Sequence, residues 1–486
     1  MRELLGLSAT ALAARIRTRE VSPSEAVEVH IRRIEEVNPH INAVVANRFT
    51  EARGEAKQLD RELLRRPPGA LPPFFGVPFT VKELISVEGM PFTAGVVARR
   101  GEVGVEDAPL VARLRNAGGI PLGVTNVSEA GLWLESHNRV YGRTNNPHDP
   151  RCIAGGSSGG EGAIIAAGGS PMGVGADIGG SIRNPSFFNG ICGHKPSGGL
   201  LPSVGHWPPA VGRRGRYCVS GPMARRVEDL VTMMEVFSPE EDPHRDPGRP
   251  PFRRARGLEP REVPVYYFES NGLTRVDREV ADAQRAAVDA LARRGFRVER
   301  WRPRALFRSV ELWTTLVAGS AEDTVRELLG NGAPIPLVRE WTRLPFGRAR
   351  HPFYSLLMAT AEGITATSPP RARALEGRRD ALRAEIEHKL GERGVLICPP
   401  YPRPAPRHHV PLLSPLAFSY CGVFNVLELP ATAVPTGMTR KGLPVGVQVV
   451  GSRFADPVTL WVAGEIEAAL GRSFVPAAVT PAHSRG

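Results

Sequence analysis

The chain has 486 residues, 42% of them hydrophobic and 23% charged, an ordinary globular balance in a chain long enough to bury a core without a metal or disulfide staple. No run of eighteen apolar residues occurs, so no transmembrane helix is expected, and charges scattered through the first twenty residues leave no apolar centre for a signal peptide. The net charge of +12 is spread over short pairs such as Arg32-Arg33 and Arg253-Arg254, which reads as solvated helix faces and argues against a nucleic-acid partner.

The first eighty residues read as helix, helix, strand. Ser22-Pro23-Ser24-Glu25 is a helix start, with Ser22 as cap, Pro23 in the first turn and Glu25 reaching back. Ala26, Val29, Ile31 and Ile34 then give the helix an apolar face. The stretch from Gly76 to Lys82 reads as a short buried strand ending near Lys82. A helix from Pro109 to Ala117 is stopped by Gly118-Gly119 and followed by a strand from Ile120 to Val124. Two glycine-dense segments, 155–160 and 173–180, flank an apolar helix from Glu161 to Gly168. Residues 238–262, rich in Pro, Asp, Glu and Arg, suggest an exposed connection. Residues 276–297 and 371–390 are helical and amphipathic, and strands return at 395–398 and 445–450. This alternation predicts an α/β layer fold. A single domain is expected, with its core in 60–235 and 393–480, and a helical layer over about 263–392 that shapes the substrate pocket.

Five cysteines, Cys152, Cys192, Cys218, Cys398 and Cys421, show no metal spacing, so they read as reduced core residues of a cytoplasmic protein. The lysines are more informative. Only Lys57, Lys82, Lys195, Lys389 and Lys441 occur, so 57 of the 62 cationic residues (62 − 5) are arginine. Arginine stays charged, whereas a buried lysine can lose its proton and act as a base. Two of the five, Lys82 and Lys195, fall in unusual stretches.

The glycine segments read Gly155-Gly156-Ser157-Ser158-Gly159-Gly160-Glu161-Gly162 and Ile178-Gly179-Gly180-Ser181-Ile182-Arg183. A phosphate loop would need Gly-Lys-Ser/Thr, which is absent, and a dinucleotide fingerprint would need glycine at 178, where isoleucine stands. What fits is a serine nucleophile in a backbone oxyanion hole. Consecutive glycines let N–H groups turn inward beside the Ser181 hydroxyl, where acyl transfer develops negative charge. No GxSxG elbow accompanies it, so the base comes from outside a histidine triad.

These two segments closely resemble the amidase signature family, and the likeness runs over nearly the whole chain. It includes Gly76-Val77-Pro78 with Lys82, the run 141–147, Gly193-His194-Lys195-Pro196, Phe424-Asn425 and the run 442–446, while Glu135 to Val140 look most like the fatty-acid amide hydrolase branch. The resemblance implies a single α/β domain built on a large twisted mixed sheet with helices on both sides. It implies hydrolysis of a carboxylic amide to acid and amine without cofactor or metal. It implies Ser181 as nucleophile, Ser157 on a cis peptide as bridging serine, Lys82 as general base, and the N–H groups of Ile178, Gly179, Gly180 and Ser181 as oxyanion hole. By position Gly131 matches a backbone carbonyl offered to substrate. The substrate expected is a small-molecule amide with an apolar acyl group, its pocket built from 263–392 and 411–430, and a homodimer is the expected assembly. Two other readings share the residues: a glutamine-amidotransferase A-type subunit, and an esterase. A basic nucleic-acid-binding protein on a degenerate enzyme fold is a fourth. Ser158 is expected as a turn or cap, Asp177 and Arg183 as braces of the loop, Lys195 as structural, and His137 and His194 as bystanders.

Overall fold

The computed structural model describes residues 2–479 apart from 211, 246–247, 321, 366–368 and 472–474. Thirteen strands follow along the described chain: β1 (Val44–Asn47), β2 (Pro78–Lys82), β3 (Ile120–Thr125), β4 (His137–Asn138), β5 (Gly142–Arg143), β6 (Met172–Asp177), β7 (Cys192–Lys195), β8 (Val219–Ala224), β9 (Val265–Tyr267), β10 (Val298–Arg300), β11 (Val395–Cys398), β12 (Ala431–Met438) and β13 (Pro444–Gly451). Eleven form one sheet in the order β1-β3-β2-β6-β8-β7-β12-β13-β11-β9-β10, and β4 and β5 form a small hairpin. β2 runs parallel to both β3 and β6, and β9 runs parallel to both β10 and β11; the remaining neighbours are antiparallel. The fold is therefore α/β with a large mixed sheet flanked by helices.

The central strands are buried throughout, as their runs of apolar and small residues require. One apolar cluster joins Phe79, Val81 and Val174 to helices Ala9–Arg17 and Val227–Phe237. A second joins Leu122 and Met223 to helices Pro23–Ile41 and Gly159–Ala166. Helix Gly159–Ala166 is buried from end to end, and its glycines are what let it sit so deep. A Cβ on Gly160 would lie 2.4 Å from the Asn126 nitrogen. Helix Pro23–Ile41 begins with the expected capping box between Ser22 and Glu25.

The first eighty residues are richer than helix, helix, strand. Helices Arg2–Gly6, Ala9–Arg17 and Pro23–Ile41 precede an edge strand, β1, and helix Phe49–Arg65 follows it. Four residues of β1 sit between a helix end and the next helix start, too short a run for periodicity to register. Residues 263–392 carry two strands, β9 and the edge strand β10, as well as helices. Residues 238–262 are not simply exposed: Phe252 is buried, and Asp242 pairs with Arg113 at 2.5 Å. The closing strands β12 and β13 return to the middle of the sheet, beside β7.

Because β2 and β6 are parallel neighbours, their carboxyl ends, Lys82 and Asp177, emerge side by side. Open α/β sheets bind ligands at this edge.

Candidate active site

Lys82 closes β2 and is about 1% exposed. Its Nζ donates to Ser157 Oγ at 2.7 Å and to the Ala176 carbonyl at 3.3 Å. Burial lowers its pKa to about 7, against the opposing pull of Cys218, Asp177 and Glu161. Ser157 follows a cis peptide bond, Gly156–Ser157. Gly156 must be glycine here, because a Cβ would lie 2.5 Å from the Trp133 carbonyl oxygen. Ser158 occupies the cap position of helix Gly159–Ala166 without capping it; the Gly159 N–H is taken instead by Ser136 Oγ at 2.8 Å.

The chain leaves β6 through Asp177 and turns over Ile178-Gly179-Gly180-Ser181 into helix Arg183–Asn189. Gly180 has φ +114°, and a Cβ there would lie 2.6 Å from both Cys421 Cβ and Asn184 Nδ2. Asp177 holds this turn from below. Its carboxylate accepts from Gly180 N–H at 2.7 Å and Ile182 N–H at 3.1 Å, and pairs with Arg183 at 2.9 Å. Burial alone would raise the Asp177 pKa, but the Arg183 guanidinium overrides it and holds the carboxyl well below the usual carboxylate range. Asn425 donates to both the carbonyl and the carboxylate of Asp177.

The N–H groups of the turn are not all in the same state. The Gly180 N–H is spent on Asp177, whereas the N–H groups of Ile178, Gly179 and Ser181 make no hydrogen bond among the described residues. Those three N–H groups are thus left without a partner in the turn. Above the turn, Trp313 Nε1 donates to the Ile178 carbonyl at 2.7 Å and its ring packs edge-on against Phe418. That bond fixes the peptide plane whose other end is the Gly179 N–H.

Two cavities meet at this point. One, small at about 30 Å³, is lined by Lys82, Ser157, Gly131, His206, Arg214 and Cys218. The other, about 200 Å³, is lined by Ser181, Gly131 and a largely apolar wall that includes Trp133, Trp313, Met358 and Phe418. Gly131, at φ +71°, lines both; a Cβ on it would stand 3.6 Å from Ser157 Oγ. The geometry thus brings together Lys82, Ser157, Ser181, Gly131 and the 178–181 turn.

Residues 25–460 match the Amidase family. The chain belongs to the amidase family. Over 96% of its length this amidase is 40% identical to fatty-acid amide hydrolase 2-A of Danio rerio, covering 89% of that protein. It is 39% identical to fatty-acid amide hydrolase 2 of Homo sapiens, again over 96% of the chain and 90% of the relative. Among solved structures, 6-aminohexanoate cyclic dimer hydrolase complexed with substrate superposes with a TM-score of 0.81 at 27% identity, over 98% of this chain and 99% of that one. The amidase is an amide-bond hydrolase.

The other histidines and lysine of the sequence motifs stand apart from both cavities. His194 bonds Thr432 at 2.9 Å and Asp456 at 3.2 Å within the sheet, and burial lowers its pKa. His137 lies on β4, where burial and then Arg143 bring it to about 4. Lys195 is fully buried and donates to the Pro196 carbonyl at 2.8 Å. Sequence reasoning missed Leu132, Trp133, Leu134 and Arg214. Glycine and serine spacing carries no sign of them; only the stacking of Trp133 on Tyr354, with centroids 5.4 Å apart, makes the wall.

Proposed function

We propose that this amidase cleaves its substrate through an acyl-enzyme on Ser181, with Ser157 and Lys82 as a proton relay. The observation that carries the reading is the 2.7 Å bond between a buried lysine and Ser157, at the junction of the two cavities that also hold Gly131 and Ser181. A serine hydroxyl needs an adjacent base, and a lysine whose pKa is brought to about 7 supplies one at neutral pH. Neutral Lys82 takes the Ser157 proton as Ser157 takes that of Ser181, and Ser181 Oγ bonds to the carbonyl carbon. The oxygen gains negative charge against the N–H groups of Ile178, Gly179 and Ser181. As the C–N bond breaks, Ser157 passes a proton to the departing nitrogen and is resupplied by Lys82. Water then repeats the attack on the ester and releases the acid. In this reading the Gly131 carbonyl accepts a hydrogen bond from the substrate amide, which the place of Gly131 on both cavities supports.

The acyl group is apolar in this reading. Support comes from the wall of Trp133, Trp313, Val317, Met358 and Phe418, and from the names of the two fatty-acid amide hydrolase 2 relatives. No described helix is long and apolar enough to cross a membrane. We place the enzyme in the cytoplasm, a reading supported by five buried cysteines that are all free. Many surface arginines are engaged with carboxylates, as in Arg254–Glu235 and Arg393–Glu262, which disfavours a nucleic-acid partner.

The test is intact-mass analysis after a fluorophosphonate probe, with peptide mapping. A single adduct on Ser181, lost in Lys82→Ala, is expected. An adduct on another serine overturns the assignment.

A further inference from the structure

The junction between the two cavities carries a cation that no ion pair among the described residues neutralises. Arg214 sits on the short helix Gly212–Tyr217, half-buried, and lines both the small cavity beside Lys82 and Ser157 and the apolar one beside Ser181. Its guanidinium makes no hydrogen bond or ion pair among the described residues. Its neighbours Arg213 and Arg216 are both engaged, Arg213 with Glu376. His206 and Cys218, which line the small cavity with Arg214, both lie close enough to feel its charge.

The rest of the small cavity's charge does not cancel it. The only carboxylate on its lining is Asp177, which is committed to Arg183. Burial brings His206 to about 3, so that ring is neutral at physiological pH. A guanidinium left unpaired at the wall of a desolvated cleft matches a carboxylate or another planar oxyanion, which it grips with two parallel hydrogen bonds.

Which part of the substrate carries that anion follows from the proton path. Resting on the proposed relay, the amine half of the amide receives its proton from Ser157 and so lies in the small cavity, while the acyl half lies in the apolar one. At about 30 Å³, the small cavity admits a compact amine. Arg214 lines both cavities, so it borders the place where the two halves of the amide would join. We infer that this amidase takes N-acyl amino acids, amides whose amine half bears a carboxylate next to the nitrogen, and that Arg214 binds that carboxylate. The products are an apolar carboxylic acid and a free small amino acid.

Two measurements separate this inference from the relay on which it rests. The first is binding to the Ser181→Ala protein by calorimetry, with N-decanoylglycine and the isosteric, neutral N-decanoylglycinamide as probes. The acid is expected to bind about tenfold or more tightly than the amide, as a charged hydrogen-bonded pair would give. Adding R214Q should bring the two affinities together. Equal affinities before R214Q, or a preference that survives it, overturn the inference. The second is turnover of both probes by the wild-type enzyme. The acid should show the higher kcat/KM, with the difference in KM, and R214K should restore only part of what R214Q loses, because a lysine cannot make the paired contact. A wild-type enzyme that prefers the neutral amide overturns the inference. An enzyme that binds the acid through Arg214 but leaves Ser181 unlabelled by a fluorophosphonate sinks the relay and leaves the subsite standing.

Discussion

Glu161 and Lys82 are both buried, and the Glu161 carboxyl is held by the strand that carries the lysine and by the strand next to it. Thr80 Oγ1, two residues before Lys82 on β2, donates to one oxygen of Glu161; Thr125 Oγ1, opposite Lys82 on β3, donates to the other at 2.7 Å. Burial raises the Glu161 pKa to about 7, while the threonine bonds and Lys82 pull it down. The negative charge of Glu161 in turn favours protonated Lys82. The lysine's proton affinity is therefore set by burial against the charges of Cys218, Asp177 and Glu161, and Glu161 is a carboxylate outside both cavities.

That balance predicts a pH profile. Only neutral Lys82 accepts a proton, so kcat/KM should rise with pH through about 7, the value to which burial lowers the lysine. In Glu161→Gln a charge that favours the protonated lysine is gone, so the lysine pKa falls and the acid limb moves to lower pH. A structural loss would scale the whole profile without moving it. A limb that stays in place or moves upward refutes the coupling.

Replacing Lys82 by arginine tests the base directly. Arginine keeps the charge and much of the bulk but does not give up its proton. Amide turnover by Lys82→Arg should fall by about 10²–10⁴, the range of a lost general base. Circular dichroism should show the fold retained. Full activity at neutral pH would mean that another group takes the Ser157 proton.

The Asp177–Arg183 pair predicts a stability effect with a definite sign. Both side chains are wholly buried, and Arg183 also donates to Gln448 at 2.9 Å and to Asn425 at 2.6 Å. Removing one partner of a buried pair leaves an uncompensated charge, at a cost of about 3–5 kcal/mol. Arg183→Met should lower the midpoint of urea unfolding accordingly. The folded Asp177 carboxyl is held below its ordinary range, so its contribution is present above that range and is lost as pH falls through the folded value. In Arg183→Met burial acts unopposed by the guanidinium and the carboxyl takes up its proton at higher pH. The gap between wild type and variant should thus be largest near neutrality and shrink on acidification. A gap independent of pH would point to lost packing alone.

How much of this was readable beforehand depends on how local each feature is. Lys82, Ser157 and Ser181 lie in short segments whose residue types are dictated by the backbone around them, as Gly156 and Gly180 illustrate with no room for a Cβ. The donor count of the 178–181 turn was not readable, because it depends on which N–H the Asp177 carboxylate captures. The apolar wall was readable only in part. Trp313, Met358, Pro415 and Phe418 fall in the stretches expected to shape the pocket, but Trp133 owes its place to Tyr354, far along the chain. The Tyr354 hydroxyl in turn bonds the His137 carbonyl and accepts from the Glu129 N–H at 2.9 Å. No period or motif announces contacts of that range.

The same wall predicts a dependence on acyl length. The apolar cavity is about 200 Å³, and Val317 and Met358 are part of its wall. Each methylene moved from water into it contributes about 0.8 kcal/mol, so kcat/KM should climb by about fourfold per carbon along a series of straight-chain primary amides. The climb stops where the chain meets the wall. Val317→Phe brings an aromatic ring into the cavity and should move that plateau to a shorter chain, with the shortest amides hydrolysed as before. Trp133→Ala should move it the other way, toward longer chains. If chain length leaves kcat/KM unchanged in wild type, the cavity does not hold the acyl group. If the series climbs but Val317→Phe leaves its plateau in place, the chain leaves Ser181 by another face of the pocket.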